Sequence, residues 1–128
     1  MPGNVLIIDD DEKARKLYRV ILEQSGYSCI EAPAAPEGIK IAEHSRVDLI
    51  ILDLQLPEMD GLAAARLLKA YGPTKAIPVI AVTALAMPDD REEVMAAGAD
   101  AYLPKPIKRK EFLQIVQYFL EGEGKIRG

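Results

Sequence analysis

The sequence predicts an α/β protein organised on a doubly wound, five-stranded parallel sheet, and three observations point there. Five short aliphatic runs alternate with five stretches of helical periodicity, which implies parallel strands joined through helices that cover both sheet faces. Two of the runs, Val5-Leu6-Ile7-Ile8 and Leu49-Ile50-Ile51-Leu52, show no polar alternation, as expected of strands buried on both sides. Both runs then stop abruptly at carboxylates, Asp9-Asp10-Asp11-Glu12 and Asp53. In open parallel sheets the carboxyl edge of the strands is where ligands bind, so these acids are the first candidates for chemistry.

Taken in order, Val5 to Ile8 is a central strand that ends at the acidic cluster. A helix follows, with Ala14, Leu17, Tyr18 and Ile21 at i, i+3, i+4 and i+7, and Ser25-Gly26 supplies its stop. Ser28 to Ala32 is a weaker strand. A short helix runs from about Glu37, after Pro36, to Glu43, with Ile39, Ile41 and Ala42 among its apolar positions. The third strand closes at Asp53 and is followed by the turn Pro57-Glu58-Met59-Asp60-Gly61. The third helix spans Leu62 to about Ala70 and ends near Tyr71-Gly72-Pro73. Pro78 to Val82 is a buried strand running into Thr83-Ala84, and a helix from about Asp89 to Ala97 closes at Gly98. Ala101-Tyr102-Leu103 is a brief last strand; Pro104 lacks an N–H, which a sheet tolerates best at its edge, so this strand belongs on the outside. The final helix has the clearest amphipathic pattern, with Phe112, Ile115, Val116, Phe119 and Leu120 on one stripe. Residues 1–122 read as one domain and 123–128, Gly-rich and charged, as a flexible tail.

Composition bounds the function. A chain of 128 residues with 49% hydrophobic content can bury roughly 68–70% of the surface its unfolded form exposes, so no staple is needed. The single Cys29 forms no internal disulfide and reads as a small buried apolar residue in a reducing compartment, with the cytoplasm as the default. No apolar run approaches the roughly 18 residues of a membrane span, and Met1-Pro2-Gly3-Asn4 lacks the features of a signal peptide. A formal net charge of −4, with basic residues interspersed among acidic ones, argues against a general nucleic-acid binder.

The chemistry centres on Asp53. If the first and third strands are neighbours, about 4.8 Å apart, Asp9 or Asp10 comes within a few ångströms of Asp53. Carboxylates that close repel, so either one is protonated at neutral pH or a cation holds them. A hard divalent cation is the better fit: oxygen ligands with no nearby Cys or His favour Mg²⁺, which takes one or two carboxylates and leaves positions for phosphate oxygens.

Asp9-Asp10 after the first strand, Asp53 with Pro57 and Gly61 after the third, Thr83-Ala84 after the fourth and Lys105-Pro106 after the fifth form an ordered set. In that set the chain resembles the receiver domain of two-component response regulators, over almost its whole length. The segment Pro78 to Lys105, with Ala84-Leu85-Ala86-Met87, is further similar to small stand-alone receivers of the DivK-like kind. The resemblance implies a flavodoxin-like (βα)5 sheet of order 2-1-3-4-5; this family itself exemplifies that order, which therefore follows from the resemblance as much as from derivation. It implies phosphoryl transfer from a histidine kinase or histidine phosphotransfer protein to Asp53. Asp10 and Asp53 would ligate Mg²⁺ directly, for which Mn²⁺ can substitute, with Asp9 acting mainly through a bound water and the backbone carbonyl of Gln55 supplying another ligand. Lys105 would add positive charge, and Thr83 would donate its hydroxyl to the phosphoryl group. Tyr102 stands at the position of the family's switch aromatic, and output would pass through the fourth helix, fifth strand and fifth helix to a protein partner, without direct contact to nucleic acid or membrane. Lys105-Pro106 is expected to be cis. Gln55 and Leu85 fall at variable positions associated with dephosphorylation rate, and Pro104 before Lys105 departs from the family pattern.

Plainer readings stand beside these. Asp11 favours and caps the start of the first helix, His44 is a surface residue and not a phosphodonor, and Lys108-Arg109-Lys110 is either a solvated face or the meeting point for an acidic partner. The chain is a free-standing regulator, or a receiver cut from a longer regulator or hybrid kinase. A Mg²⁺-dependent phosphohydrolase would want a second acid/base carboxylate near Asp53, and Gln55 is not one. A flavin or nucleotide carrier would want a Gly/Ser/Thr-rich first loop, whereas Asp9 to Glu12 repels phosphate unless metal intervenes.

Overall fold

The computed structural model describes residues 3–56, 59–84 and 90–122. Pro57, Glu58, the segment from Leu85 to Asp89 and the tail 123–128, on all of which the sequence raised expectations, lie outside the described residues. Five strands, β1 (Asn4–Ile8), β2 (Ser28–Ala32), β3 (Leu49–Asp53), β4 (Val79–Thr83) and β5 (Ala101–Pro104), form one parallel sheet in the order β2-β1-β3-β4-β5. The helices are α1 (Glu12–Gln24), α2 (Ala35–His44), α3 (Gly61–Ala70), a single turn α4 (Gly72–Lys75), α5 (Asp90–Ala96) and α6 (Arg109–Glu121).

The aliphatic runs lack polar alternation because both sheet faces are covered. Val5, Ile7, Leu49, Ile51, Ile80 and Val82 point to one side and pack against Tyr18, Ile21 and Leu22 of α1 and Phe112 and Val116 of α6. Leu6, Ile8, Ile50, Leu52 and Val79 point to the other, against Ala35 and Ala42 of α2 and Ala64, Ala65 and Leu68 of α3. Burying a Leu, Ile or Val fully contributes about 1.5–3 kcal/mol, so these two layers are the main source of stability. Val94 of α5 meets Ala81 and Ala99 in a smaller third cluster.

Several boundaries and faces differ from the sequence expectation. Leu17, placed on the buried stripe of α1, is 48% exposed, while Leu22 is fully buried. The stripe is Tyr18, Ile21 and Leu22, because the sheet lies beneath that phase of the helix. Helix α2 begins at Ala35 rather than Glu37, since Pro36 fits a first turn, where its missing N–H is not needed. The chain after α3 makes the extra turn α4, held by the buried Thr74 hydroxyl donating to the Leu68 carbonyl at 2.6 Å. Cys29 is half-buried rather than buried; burial pushes its thiol up to about 11, which keeps it in the unreactive protonated form at neutral pH. The edge placement of β5 holds, with Pro104 opposite Thr83 at its end.

Candidate functional site

The strand register brings the carboxyl ends together. Ile8 of β1 pairs with Leu52 of β3, Asp53 with Val82 of β4, and Thr83 with Pro104 of β5. Asp9, Asp53, Thr83 and Lys105 therefore arrive at one edge from four strands. Asp9, Asp53 and Thr83 are 1%, 3% and 3% exposed, whereas Asp10 lies open to solvent.

Asp9, Asp10 and Asp53 each present one carboxylate oxygen, all within 4.8 Å of one another. The Asp9 carboxylate accepts from the Asp11 N–H at 2.9 Å through Oδ1 and from Lys105 Nζ at 3.1 Å through Oδ2. Lys105 Nζ also lies 3.5 Å from Asp53 Oδ2. The Gln55 N–H donates to Asp53 Oδ1 at 3.0 Å. Burial raises the Asp53 carboxyl above the usual carboxylate range; the Gln55 N–H opposes this, the Asp9 charge adds to it, and Lys105 opposes it again. Burial alone would lower Lys105, but the two carboxylates more than offset it and its ammonium is held on more tightly than usual. Among the described residues, the site thus sets three acids against Lys105. An all-oxygen donor set with two buried carboxylates and, among the described residues, no soft ligand fits a hard divalent cation such as Mg²⁺, the alternative to a protonated acid that the sequence left open.

Beyond Asp53, the Gln55 side chain reaches across to β4. Its amide oxygen accepts from the Ala84 N–H at 3.1 Å and lies 3.5 Å from the Thr83 hydroxyl. The sequence reading gave Gln55 a backbone carbonyl ligand and a position associated with dephosphorylation rate, but not this contact; the residue's identity does not reveal where its side chain lies. Arg15 was missed as well. Its Nη1 donates to the Asp9 carbonyl at 2.8 Å while its Nε pairs with Glu31 at 2.9 Å, and Arg19 pairs with the other oxygen of Glu31. The backbone that carries the acids is thereby tied to the end of β2. One signal in the sequence was the helical spacing of Arg15 and Arg19, which puts both on one side of α1.

Other expectations are met or refined. Asp11 is the N-cap of α1, accepting from the Lys13 N–H. Lys105-Pro106 is cis, and the Lys105 N–H donates to the Thr83 carbonyl at 2.8 Å, so Pro104 leaves the lysine docked on β4. Tyr102 is half-buried against Ala81, Val94 and Ala99, and its ring lines a groove with Arg91, Met95, Lys108 and Ile115. His44 is exposed, remote from the acids at the end of α2. Lys108, Arg109 and Lys110 are exposed at the start of α6.

Comparison with known proteins agrees with this geometry. The family model described as the response regulator receiver domain matches residues 5–117. The polar-differentiation response regulator DivK of Brucella anthropi is 41% identical over 120 residues, spanning 94% of this chain and 98% of that protein. A CheY-like response regulator receiver domain protein from Methanospirillum hungatei superposes with a TM-score of 0.87 at 30% identity, covering 100% of both chains. The receiver domain of a sensor histidine kinase from Pseudomonas aeruginosa, solved with a magnesium ion coordinated in its active-site cleft, gives a TM-score of 0.86 at 31% identity, covering 95% of this chain and 100% of that one. No helix among the described residues is long and apolar enough to cross a membrane. On the sheet order, the cluster of acids at its edge and these likenesses together, the chain belongs to the response regulator receiver domain family of two-component signalling.

Proposed function

We propose that the chain accepts a phosphoryl group on Asp53, in a Mg²⁺-dependent reaction, from the phosphohistidine of a sensor histidine kinase or histidine phosphotransfer protein. The modified site then switches a protein-interaction surface. The observation that supports this most directly is the meeting of three carboxylates with Lys105 around a buried Asp53. An Asp53 oxygen attacks phosphorus in line; the new P–O bond forms as the P–N bond breaks and its electron pair leaves with the donor imidazole. Such transfer needs positioning and positive charge more than covalent help. Asp10 and Asp53 would hold the cation directly, Asp9 mainly through water, and the Gln55 carbonyl would add a ligand. When bound, Mg²⁺, or Mn²⁺ in its place, supplies charge that balances the phosphoryl oxygens; the magnesium in the Pseudomonas neighbour supports this choice. Lys105 keeps its ammonium beside the acceptor oxygen, and the Thr83 hydroxyl offers a donor to the phosphoryl group. The unit spans residues 1–122 and is a phosphoacceptor that assists its own phosphorylation and dephosphorylation, not an enzyme with a separate turnover substrate. A cytoplasmic location goes with such partners and with a lone, unpaired Cys29.

For output, the groove between α5, β5 and α6 supports a protein target. Tyr102 lies in it, lined by Arg91 and Lys108 beside Asp100 and Glu111, and the exposed run Lys108-Arg109-Lys110 at the start of α6 adds positive charge that suits an acidic partner. Incubation with a small phosphodonor and Mg²⁺, followed by a gel that resolves phosphorylated protein, should show one modified species. Asp53→Ala should abolish it and chelation suppress it. Label that persists on another residue in Asp53→Ala would overturn the assignment.

A further inference from the structure

Gln55 makes two kinds of contact at the site. Its backbone N–H donates to Asp53 Oδ1 at 3.0 Å, so its main chain is fixed beside the acceptor. Its side chain then crosses to the end of β4, where the amide oxygen takes the Ala84 N–H at 3.1 Å and sits 3.5 Å from the Thr83 hydroxyl. Two donors from consecutive residues converge on one acceptor atom, next to the carboxylate that would be modified. A phosphoryl oxygen on Asp53 needs that same kind of convergent donor.

We infer that the Gln55 side chain is a built-in competitor for the Thr83 and Ala84 donors, and must release them before a phosphoryl group on Asp53 can engage them. This rests on the proposed phosphoacceptor reading. The amide oxygen is a neutral acceptor, whereas a phosphoryl oxygen is anionic and forms hydrogen bonds roughly twice as strong, so the phosphoryl group wins the exchange. The contest still weakens its apparent binding, because only the fraction of molecules with the donors released is competent. A cleft lined by Leu54, Asp60, Leu62, Thr83 and Val94 adjoins the side chain and can receive the released amide. Gln55 is itself exposed, so the movement disturbs little of the core. In this role Gln55 is a positioning residue: it sets how readily the β4 end responds to modification, and its side chain takes no part in the transfer.

The test compares the unaltered chain with Gln55→Met, which keeps the length of the side chain and the backbone contact to Asp53 but removes the acceptor. Without metal or mimic, the Ala84 amide proton should move upfield and exchange with solvent faster in the variant. With Mg²⁺, titration of beryllium fluoride should show tighter binding by about three- to tenfold, the loss of one or two ordinary hydrogen bonds from the competing state. A gain of affinity is not what damage to a supporting residue produces. An unchanged Ala84 resonance, or equal or weaker affinity in the variant, overturns the inference while leaving the phosphoacceptor reading intact. Failure of the unaltered chain to bind beryllium fluoride with Mg²⁺ overturns both.

Discussion

At the scale of single residues, Lys105 and Asp53 hold opposite ends of one balance. Lys105 Nζ stands 3.1 Å from Asp9 and 3.5 Å from Asp53, so one cation serves two buried carboxylates. Losing the Lys105 side chain would leave little buried apolar area behind, but it would remove the ion pairs to both carboxylates. Lys105→Met should lower metal-free stability by about 1–2 kcal/mol at pH 7, an estimate for a charged pair that retains some contact with water. The loss should shrink in acid as the Asp53 carboxylate takes up its proton. Urea unfolding in chelator checks it, and an unchanged midpoint would show that the lysine contributes nothing to the resting fold. Asp53 gives the reverse sign. Its folded pKa is raised, first by burial, so the folded chain holds the proton more tightly than the unfolded one. Stability from that binding is complete below the unfolded value of about 3.9 and is lost as pH rises through the folded value. At pH 7 the ionised group is therefore a burden. Asp53→Asn should unfold at a higher temperature than the unaltered metal-free chain at pH 7, with the difference fading below about pH 4. Equal melting temperatures at pH 7 would contradict the raised pKa.

At the scale of elements, the loop between β3 and α3 is held by a close backbone approach. A Cβ on Gly61 would fall 2.4 Å from Leu54 Cα and 2.9 Å from the Asp53 carbonyl oxygen. Both are backbone atoms, which cannot swing aside as a flexible side chain could. Asp60 caps α3 by accepting from the Leu62 N–H, and the Gly61 N–H donates to the Leu54 carbonyl. The start of the helix is thus seated against the residues that present Asp53. Gly61→Ala should cost about 1–3 kcal/mol through overpacking and weaken Mg²⁺ binding as well, because the displaced backbone carries the acceptor. Thermal melting and a Mg²⁺ titration check both effects; normal affinity with lowered stability would mean that the strain relaxes toward α3 and spares the site. Arg15 works at the same scale, joining α1, the end of β1 and Glu31 of β2 in one set of contacts.

At the scale of the whole molecule, the proposed function requires a modified Asp53 to be felt at β5 and α6. The contacts that would carry the signal are Thr83 and Ala84 at the end of β4, the Lys105 N–H that donates to the Thr83 carbonyl, and Tyr102 beside Ala81 in the strand pair β4–β5. Two side-chain arrangements that differ by a few kcal/mol suffice, with the phosphoryl group favouring one. Amide chemical shifts with and without beryllium fluoride should therefore change from Asp53 through Thr83 and Ala84 to Tyr102–Phe112. Changes confined to the neighbours of Asp9, Asp10 and Asp53 would show that modification is not relayed along this route.

The sequence by itself determined the strands, their burial and the acids at their ends. An aliphatic run such as Leu49 to Leu52 encodes two covered faces locally, and the first polar residue after it marks where the strand leaves the core. Periodicity also located α6 through Phe112 and Val116, both fully buried. The neighbours of each strand were not written in those runs: alternating strands and helices admit more than one sheet order, and family resemblance favoured the one observed. Only the tertiary structure decided which phase of α1 meets the sheet, leaving Leu17 outside and Leu22 within, because an apolar side chain has no local sign of what will cover it. It alone placed Arg15 on the Asp9 carbonyl and the Gln55 amide on Thr83 and Ala84. Such polar contacts join residues from different strands and loops, so they depend on strand order and on the path of each loop, which hydrophobic pattern does not specify.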